Sequence, residues 1–219
     1  MCNIFPLVLC GYELTLHPCF RFQIDKNIGN HYRSVICGRP TRCFLGPNYA
    51  FFLLALTLAL LIGSATLMYL GRCVNVIAYF VQFIFFCAFI MSYLLVAFTD
   101  PGIIPKQTRE QLLMELSQLE EEGVDLSHRK ICTDGCNIIR PPYTYHCASC
   151  DACIVGIDHH CPWTGHCIGE NNKFFFTAFM WSMVPSLLGA IGTMLLYLYR
   201  ASTGRGTCPS VEFSHTSYI

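Results

Sequence analysis

Charge is what this sequence has least of. Asp, Glu, Lys and Arg together make up 13% of its 219 residues, and acidic and basic groups cancel to a net charge of zero. About a quarter of an ordinary soluble domain is charged, so the whole chain cannot be clothed in a water-facing shell. The absence of a basic excess excludes a nucleic-acid partner as the reading. No low-complexity segment is present, and the apolar opening stretch Met1 to Cys10 lacks the basic flank and the length of an ordinary signal peptide.

The shortage of charge is concentrated. Ala50 to Leu70, Val74 to Thr99 and Phe174 to Tyr199 contain no charged residue at all. At about 1.5 Å per helical residue, each can cross a hydrocarbon core of about 30 Å. Buried core helices are the competing reading, but uncharged runs this long rarely occur there. Three spanning helices are therefore expected, with the first acting as the insertion signal. Orientation follows Lys and Arg. Arg21, Lys26, Arg33, Arg39 and Arg42 precede the first span, and only Arg72 lies between the first and second. Lys106, Arg109, Arg129, Lys130, Arg140 and Lys173 lie between the second and third, and Arg200 and Arg205 follow. The amino-terminal segment and the central loop should face the cytosol, the short loop and the tail the opposite side.

The expected organisation is a cytosolic segment over 1–47, a hairpin of two spans over 48–99, a linker over 100–130, a cysteine-rich domain over 131–173, a third span over 174–199 and a tail over 200–219. Asp100-Pro101-Gly102 ends the second span, because proline disfavours helix at the residue before it and glycine permits the turn. Thr108 to Glu122 reads as a short helix: Thr108 and Gln111 have capping-box spacing, and Leu112, Leu113, Leu116 and Leu119 form an apolar stripe. Its other face is acidic, which favours packing on its own domain over lying on anionic lipid.

Cysteine, by contrast, is abundant, at fifteen residues. Seven of them, Cys132, Cys136, Cys147, Cys150, Cys153, Cys161 and Cys167, fall in the loop assigned to the reducing cytosol, where metal binding is a better reading than disulfides. Cys73 and Cys208 fall on the other side, where a disulfide between them is open. Cys2, Cys10, Cys19, Cys37 and Cys43 are open between a structural role and acylation near the membrane. With His146, His159 and His160, the loop offers ten candidate ligands, whereas two closed tetrahedral zinc sites need about eight. A Cys and a His left over side by side would make a nucleophile and base held rigidly by the metals. The alternative is that all ten serve structure, or that the loop is a binding module of the zinc-ribbon kind. In fold class the expectation is an all-α transmembrane helical bundle with a small cysteine-rich double-zinc cytosolic domain between its second and third helices.

Cys136-x3-Arg140-Pro141, then His146-Cys147-x2-Cys150-x2-Cys153-x4-Asp158-His159-His160-Cys161-Pro162-Trp163, then Cys167-Ile168-Gly169-x2-Asn172, closely resemble the DHHC family of protein S-acyltransferases, the palmitoyltransferases. Asp100-Pro101-Gly102 matches that family's second motif. Gly29-Asn30 through Cys37-Gly38-Arg39 to Gly46-Pro47 resembles the approach to the first span in its plant and Golgi Ras-acylating branch. The resemblance implies two interleaved zinc sites, one of Cys132, Cys136, His146 and Cys153, the other of Cys147, Cys150, His160 and Cys167. His159 and Cys161 are then left over, with Asp158 adjacent.

It further implies Cys161 as nucleophile, His159 as its base and Asp158 as the carboxylate that orients the base. Palmitoyl-CoA is the implied donor, with Arg140 and Trp163 as candidates for holding it. Cysteine-containing membrane-associated proteins are the implied acceptors, with an accessory subunit as a further partner, on Golgi, ER or plasma membrane. Ser182, Ser186 and Gly189 form a small-residue face that suits either close helix packing or an acyl chain. Three departures stand out: a three-residue spacer between Cys132 and Cys136, Tyr143 in place of a basic residue, and His166 in place of an asparagine. The sequence ends after the third stretch, before the family's fourth span and Thr-Thr-x-Glu motif, so weak or absent autoacylation is expected of it. A catalytically inactive zinc-binding membrane scaffold is the alternative. A zinc hydrolase is disfavoured, because neither ligand set leaves an open metal position.

A tag placed after Ile219 is expected to resist protease added to sealed, cytosol-side-out vesicles. Cleavage would show that the third stretch does not span.

Overall fold

The computed structural model describes residues 20–36, 39–127, 129–204 and 208. Cys2, Cys10, Cys19 and Cys37 lie outside the described residues, as does the Cys43 side chain. Three helices, α1 (Tyr49–Cys73), α2 (Val76–Phe98) and α4 (Lys173–Ser202), are long and apolar enough to cross a membrane. Their side chains are mainly exposed, including Ile77, Ile84, Trp181 and Leu188. Apolar surface this continuous is stable in lipid and costly in water.

The expectation of an all-α fold is wrong. Among the described residues, ten strands form four small antiparallel sheets. Before α1, β1 (Phe20–Ile24), β2 (Tyr32–Ile36) and β3 (Arg39–Leu45) pair in sequence order. After α2, β4 (Ile103–Ile104), β8 (Ala152–Val155) and β7 (Thr144–Cys147) form a second sheet in that spatial order. Two hairpins join β5 (Lys130–Cys132) to β6 (Ile138–Arg140) and β9 (His159–Cys161) to β10 (His166–Ile168). The reason is local. In the cysteine-rich region, cysteine ligands separated by two or three residues fit tight turns between extended strands and not a continuous helix.

The linker helix α3 (Arg109–Glu121) starts at the expected capping box: Gln111 N–H donates to Thr108 Oγ1 at 3.2 Å, and Thr108 N–H to Gln111 Oε1 at 2.8 Å. Its stripe is narrower than expected. Leu112 is buried and Leu116 and Leu119 half-buried at helical spacing, while Leu113 is exposed.

The chain divides into two compact units. One takes the chain up to Ala55 together with Met91–Ala178; the other takes Leu56–Ile90 and the chain from Phe179. In the first unit, the Asp100 carboxylate accepts from the N–H groups of Gly102 and Ile103, both at 2.9 Å. Gly102 O in turn accepts from Val155 N–H of β8 at 3.0 Å. The Asp-Pro-Gly segment therefore fixes the end of α2 onto the cysteine-rich sheet. The segment before α1 docks there too: Asn30 N–H donates to Cys150 O at 2.9 Å, and Lys106 N–H to Asn27 O at 2.7 Å. Gly29 has a φ of 76°, and a Cβ there would collide with the Cys150 and Asp151 carbonyls, so no other residue allows the approach.

In the second unit, Gln82 of α2 donates to Ser186 O of α4 at 3.0 Å. A Cβ on Gly189 would strike the Gln82 amide, and one on Gly63 the Phe86 ring. The small-residue face of α4 thus makes room for a polar side chain of α2, which is close helix packing of the kind membranes favour. Gly63, Gln82, Phe86 and Ser186 border an apolar groove of about 220 Å³ that is also lined by Ile62, Phe89, Met183 and Leu187.

Gly29→Ala is expected to destabilise the first unit by about 2 kcal/mol or more, through a strained φ and a backbone clash. The check is the thermal midpoint of the purified protein; an unchanged midpoint would show that the Gly29 segment does not dock as described.

Candidate active site and metal centres

Two residues next to each other in a strand face opposite ways. In β7 these are His146 and Cys147. His146 pairs across the sheet with Cys153 of β8, and its Nδ1 lies 3.6 Å from Cys132 Sγ, 3.3 Å from Cys136 Sγ and 4.0 Å from Cys153 Sγ. Cys147 turns the other way, 3.5 Å from His160 Nδ1, which also lies 3.4 Å from Cys150 Sγ and 3.4 Å from Cys167 Sγ. Cys167 is the direct partner of His160 in the β9–β10 hairpin. The structure therefore gathers the eight residues into two clusters, Cys132, Cys136, His146 and Cys153 in one, Cys147, Cys150, His160 and Cys167 in the other. These are the groupings that the family resemblance implies.

The donor sets fit zinc. Bonds of about 2.0–2.3 Å at tetrahedral angles put ligand atoms about 3.4–3.8 Å apart, and the spacings above centre on that range. All six thiols are buried. Burial is the first cause that pushes the Cys136 and Cys153 thiols up, so thiolates there need a cation beside them. The three-residue spacer is accommodated by the turn between β5 and β6, with Gly135 at a φ of 86°. Outside the ring of ligands, His160 Nε2 donates to Asn48 Oδ1 at 2.9 Å. That leaves Nδ1 as the nitrogen facing the thiols and fixes the ring.

The same alternation operates in β9. With His160 turned to the second cluster, His159 and Cys161 fall together on the opposite face. Both are half-buried, and Cys161 belongs to neither cluster. His159 Nδ1 donates to Asp158 Oδ2 at 3.0 Å, which leaves Nε2 as its unprotonated nitrogen when the ring is neutral. Lys173 Nζ lies 3.6 Å from the other Asp158 oxygen. The His159 hydrogen bond first, and the Lys173 charge after it, hold the Asp158 carboxyl below its ordinary range. No hydrogen bond joins His159 to Cys161 among the described residues. Phe176 stands edge-on to the His159 ring, centroids 5.2 Å apart.

The remaining sequence candidates lie as follows. Trp163 is 56% exposed, its ring edge-on to Phe51 at 5.8 Å. Its carbonyl accepts from the Tyr93 hydroxyl at 2.5 Å. Arg140 borders a cavity of about 440 Å³ with Arg129, Lys130, Tyr143 and Tyr145, and its Nε is buried without a partner among the described residues. Tyr143, where the family has a basic residue, is 82% exposed on the same cavity, while Lys130 pairs with Arg140 across the β5–β6 hairpin. His166 is fully buried between two carbonyls, Nδ1 2.9 Å from Cys167 O and Nε2 2.8 Å from Ala97 O. Burial lowers its pKa, and the neutral ring donates to one carbonyl at a time.

Sequence reading missed Asn48, Tyr93, Lys173 and the pair Arg129 and Lys130. Asn48 lies 112 residues from the histidine that it holds, and no local pattern links them. Lys173 carried a signal, as the first cation after the motif.

Residues 126–217 match the family model described as DHHC palmitoyltransferase. The chain belongs to the DHHC palmitoyltransferase family. It is 31% identical over 193 residues to Palmitoyltransferase ZDHHC18-B of Danio rerio, covering 76% of this chain and 49% of that protein. Palmitoyltransferase ZDHHC18 of Mus musculus is 35% identical over 151 residues, 59% of this chain and 40% of the relative. Palmitoyltransferase ZDHHC8 of Mus musculus is 30% identical over 160 residues, 68% of this chain and 21% of the relative. The chain spans about half or less of the length of these relatives. The four residues that give the family its name, Asp158 to Cys161, lie immediately before and within β9 of this chain.

His160→Ala is expected to lose one of two zinc ions per chain, measured by elemental analysis of purified protein, whereas His159→Ala and Cys161→Ala keep both. Loss of zinc from Cys161→Ala would place Cys161 inside a cluster.

Proposed function

We propose that this protein is a membrane protein S-acyltransferase that moves a long fatty acyl group from acyl-CoA to cysteine thiols of membrane-associated proteins. The observation that carries the proposal is the division of labour in β9: His160 faces the second cluster, and His159 and Cys161 share the free face, with Asp158 accepting from His159.

A free thiol with a pKa near 8.5 is mostly protonated at cytosolic pH. In the proposed cycle, His159 Nε2 takes the Cys161 proton while Asp158 holds the tautomer and offsets the imidazolium charge. Lys173, 3.6 Å from the other Asp158 oxygen, helps hold that carboxylate in place. The Cys161 thiolate attacks the thioester carbonyl, the bond to coenzyme A sulfur breaks, and the proton on His159 leaves with that sulfur. An acyl-enzyme remains on Cys161. A substrate cysteine then attacks it, giving its proton to His159, and Cys161 is released. One thioester replaces another in each half-reaction, so proton management and positioning are the enzyme's task. Zinc, when bound in the two clusters, supplies rigidity and takes no part in the transfer.

Arg140, with Arg129 and Lys130, supports a role for the basic cavity in holding the phosphates of coenzyme A. Trp163, exposed and backed by Phe51, fits the headgroup depth at which a thioester would be presented. On this reading the cysteine-rich region works on the cytosolic face of an endomembrane or plasma membrane.

The test is acyl labelling from a palmitoyl-CoA analogue, in which the unsubstituted chain should carry a weak but measurable label. Cys161→Ala should abolish a hydroxylamine-sensitive label, and His159→Ala should slow it by about 10²–10⁴-fold. Arg140→Ala should raise KM for the donor with kcat little changed. Undiminished labelling of Cys161→Ala would overturn the proposal.

A further inference from the structure

The end of α1 and the tail after α4 meet at a covalent link that the proposed transfer does not use. Cys73, the last residue of α1, is disulfide-bonded to Cys208, with a Cα–Cα distance of 4.5 Å and a sequence separation of 135. That Cα distance lies within the range of native disulfides. The contact does not stand alone. The Arg200 guanidinium, in the last turn of α4, donates to Cys73 O at 2.6 Å, placing a cation on the carbonyl end of the α1 dipole. One turn further in, Tyr69 and Tyr197 meet edge-on with centroids 5.7 Å apart. The two tyrosines border a second apolar groove of about 390 Å³ that also includes Ile62, Thr66, Thr193 and Met194. The remaining described cysteines outside the metal clusters, Cys87 and Cys161, are unpaired.

We propose that Cys73 and Cys208 are a native oxidation site, a clasp that locks the ends of α1 and α4 together beside this groove on the non-cytosolic side of the membrane. The count of Lys and Arg puts the short loop after α1 and the tail after α4 on that side, where disulfides persist. The zinc-ligand cysteines are assigned to the cytosol, where thiols stay reduced, so one chain uses cysteine in two oxidation states according to compartment. The chemistry is thiol–disulfide exchange. One cysteine thiolate attacks a disulfide carrier of that compartment, forming a mixed disulfide and releasing one carrier thiol. The second cysteine thiolate then displaces the other carrier sulfur. Two thiols are oxidised to one disulfide, and the carrier disulfide is reduced to a dithiol. Because the closed loop is long, the bond removes much of the unfolded chain's freedom.

Differential alkylation of the full chain tests this. Thiols in isolated membranes are blocked with a light maleimide under denaturing, chelating conditions, then disulfides are reduced and labelled with a heavy one. Mass spectrometry should find the heavy label on Cys73 and Cys208 and the light label on the zinc-ligand cysteines. In Cys73→Ser, Cys208 should carry the light label, and the thermal midpoint should fall by about 5 °C. In sealed, cytosol-side-out vesicles a membrane-permeant dithiol should open the bond, and a charged, impermeant phosphine should leave it closed. Light label on both residues in the unsubstituted protein, opening by the impermeant reductant, or an unchanged midpoint in Cys73→Ser would each overturn the proposal. So would a dimer on non-reducing gels that Cys208→Ser abolishes, because the bond would then join two copies. None of these readouts needs acyl transfer, so failure of the transferase reading and failure of the clasp are separate results.

Discussion

The pleat of an extended strand sends neighbouring side chains to opposite faces, and this protein relies on that constraint twice. In β7 it parts His146 from Cys147 and so separates two clusters whose ligands alternate along the chain. In β9 it turns His160 to one of those clusters and leaves His159 and Cys161 together on the other face. A helix through the same residues would spread consecutive side chains about 100° apart and could not divide them so cleanly. The mixed architecture follows from that requirement: strands where ligands must be sorted, helices where a membrane must be crossed.

The cysteine-rich region is too small to hold its shape by apolar burial alone. Its buried residues are mainly the ligands themselves, with Ile138, Ile154 and Ile168 around them. Position is therefore supplied from outside by polar contacts to specific backbone atoms. The Asp100 turn, Gly29 and Asn30 against Cys150, Asn48 on His160, and His166 on Ala97 all hold the clusters from segments distant in sequence. Where the group is buried, as Cys150 O and the His166 ring are, such a contact avoids a desolvation cost of about 1–3 kcal/mol.

In the helical unit the balance is reversed. Apolar side chains face outward, where lipid supplies no hydrophobic drive between helices, and small residues and a single amide set the approach. Gly63 admits Phe86, Gly189 admits Gln82, and Gln82 donates to Ser186 O. Such contacts give orientation without a packed aqueous-type core, and they leave apolar grooves between the helices.

By itself the sequence determined the features that depend on local pattern. Uncharged runs mark three helices, the capping box marks α3, and the density of Cys and His marks a metal-binding region, because each signal lies within one turn or one hairpin. The family resemblance supplied the ligand groupings, which spacing alone left open. The strands β5 to β10 of the cysteine-rich region went unseen because they are three or four residues long and their side chains answer to ligand geometry, not to apolar alternation. Tertiary structure decided what no local pattern encodes. It placed Asn48 on a histidine 112 residues away, set Lys173 on Asp158, gathered Arg129 and Lys130 beside Arg140, and joined Cys73 to Cys208. Each of these pairings depends on where separate elements meet, and hydrogen-bond and charge contacts of a few ångströms leave no periodic trace in the chain.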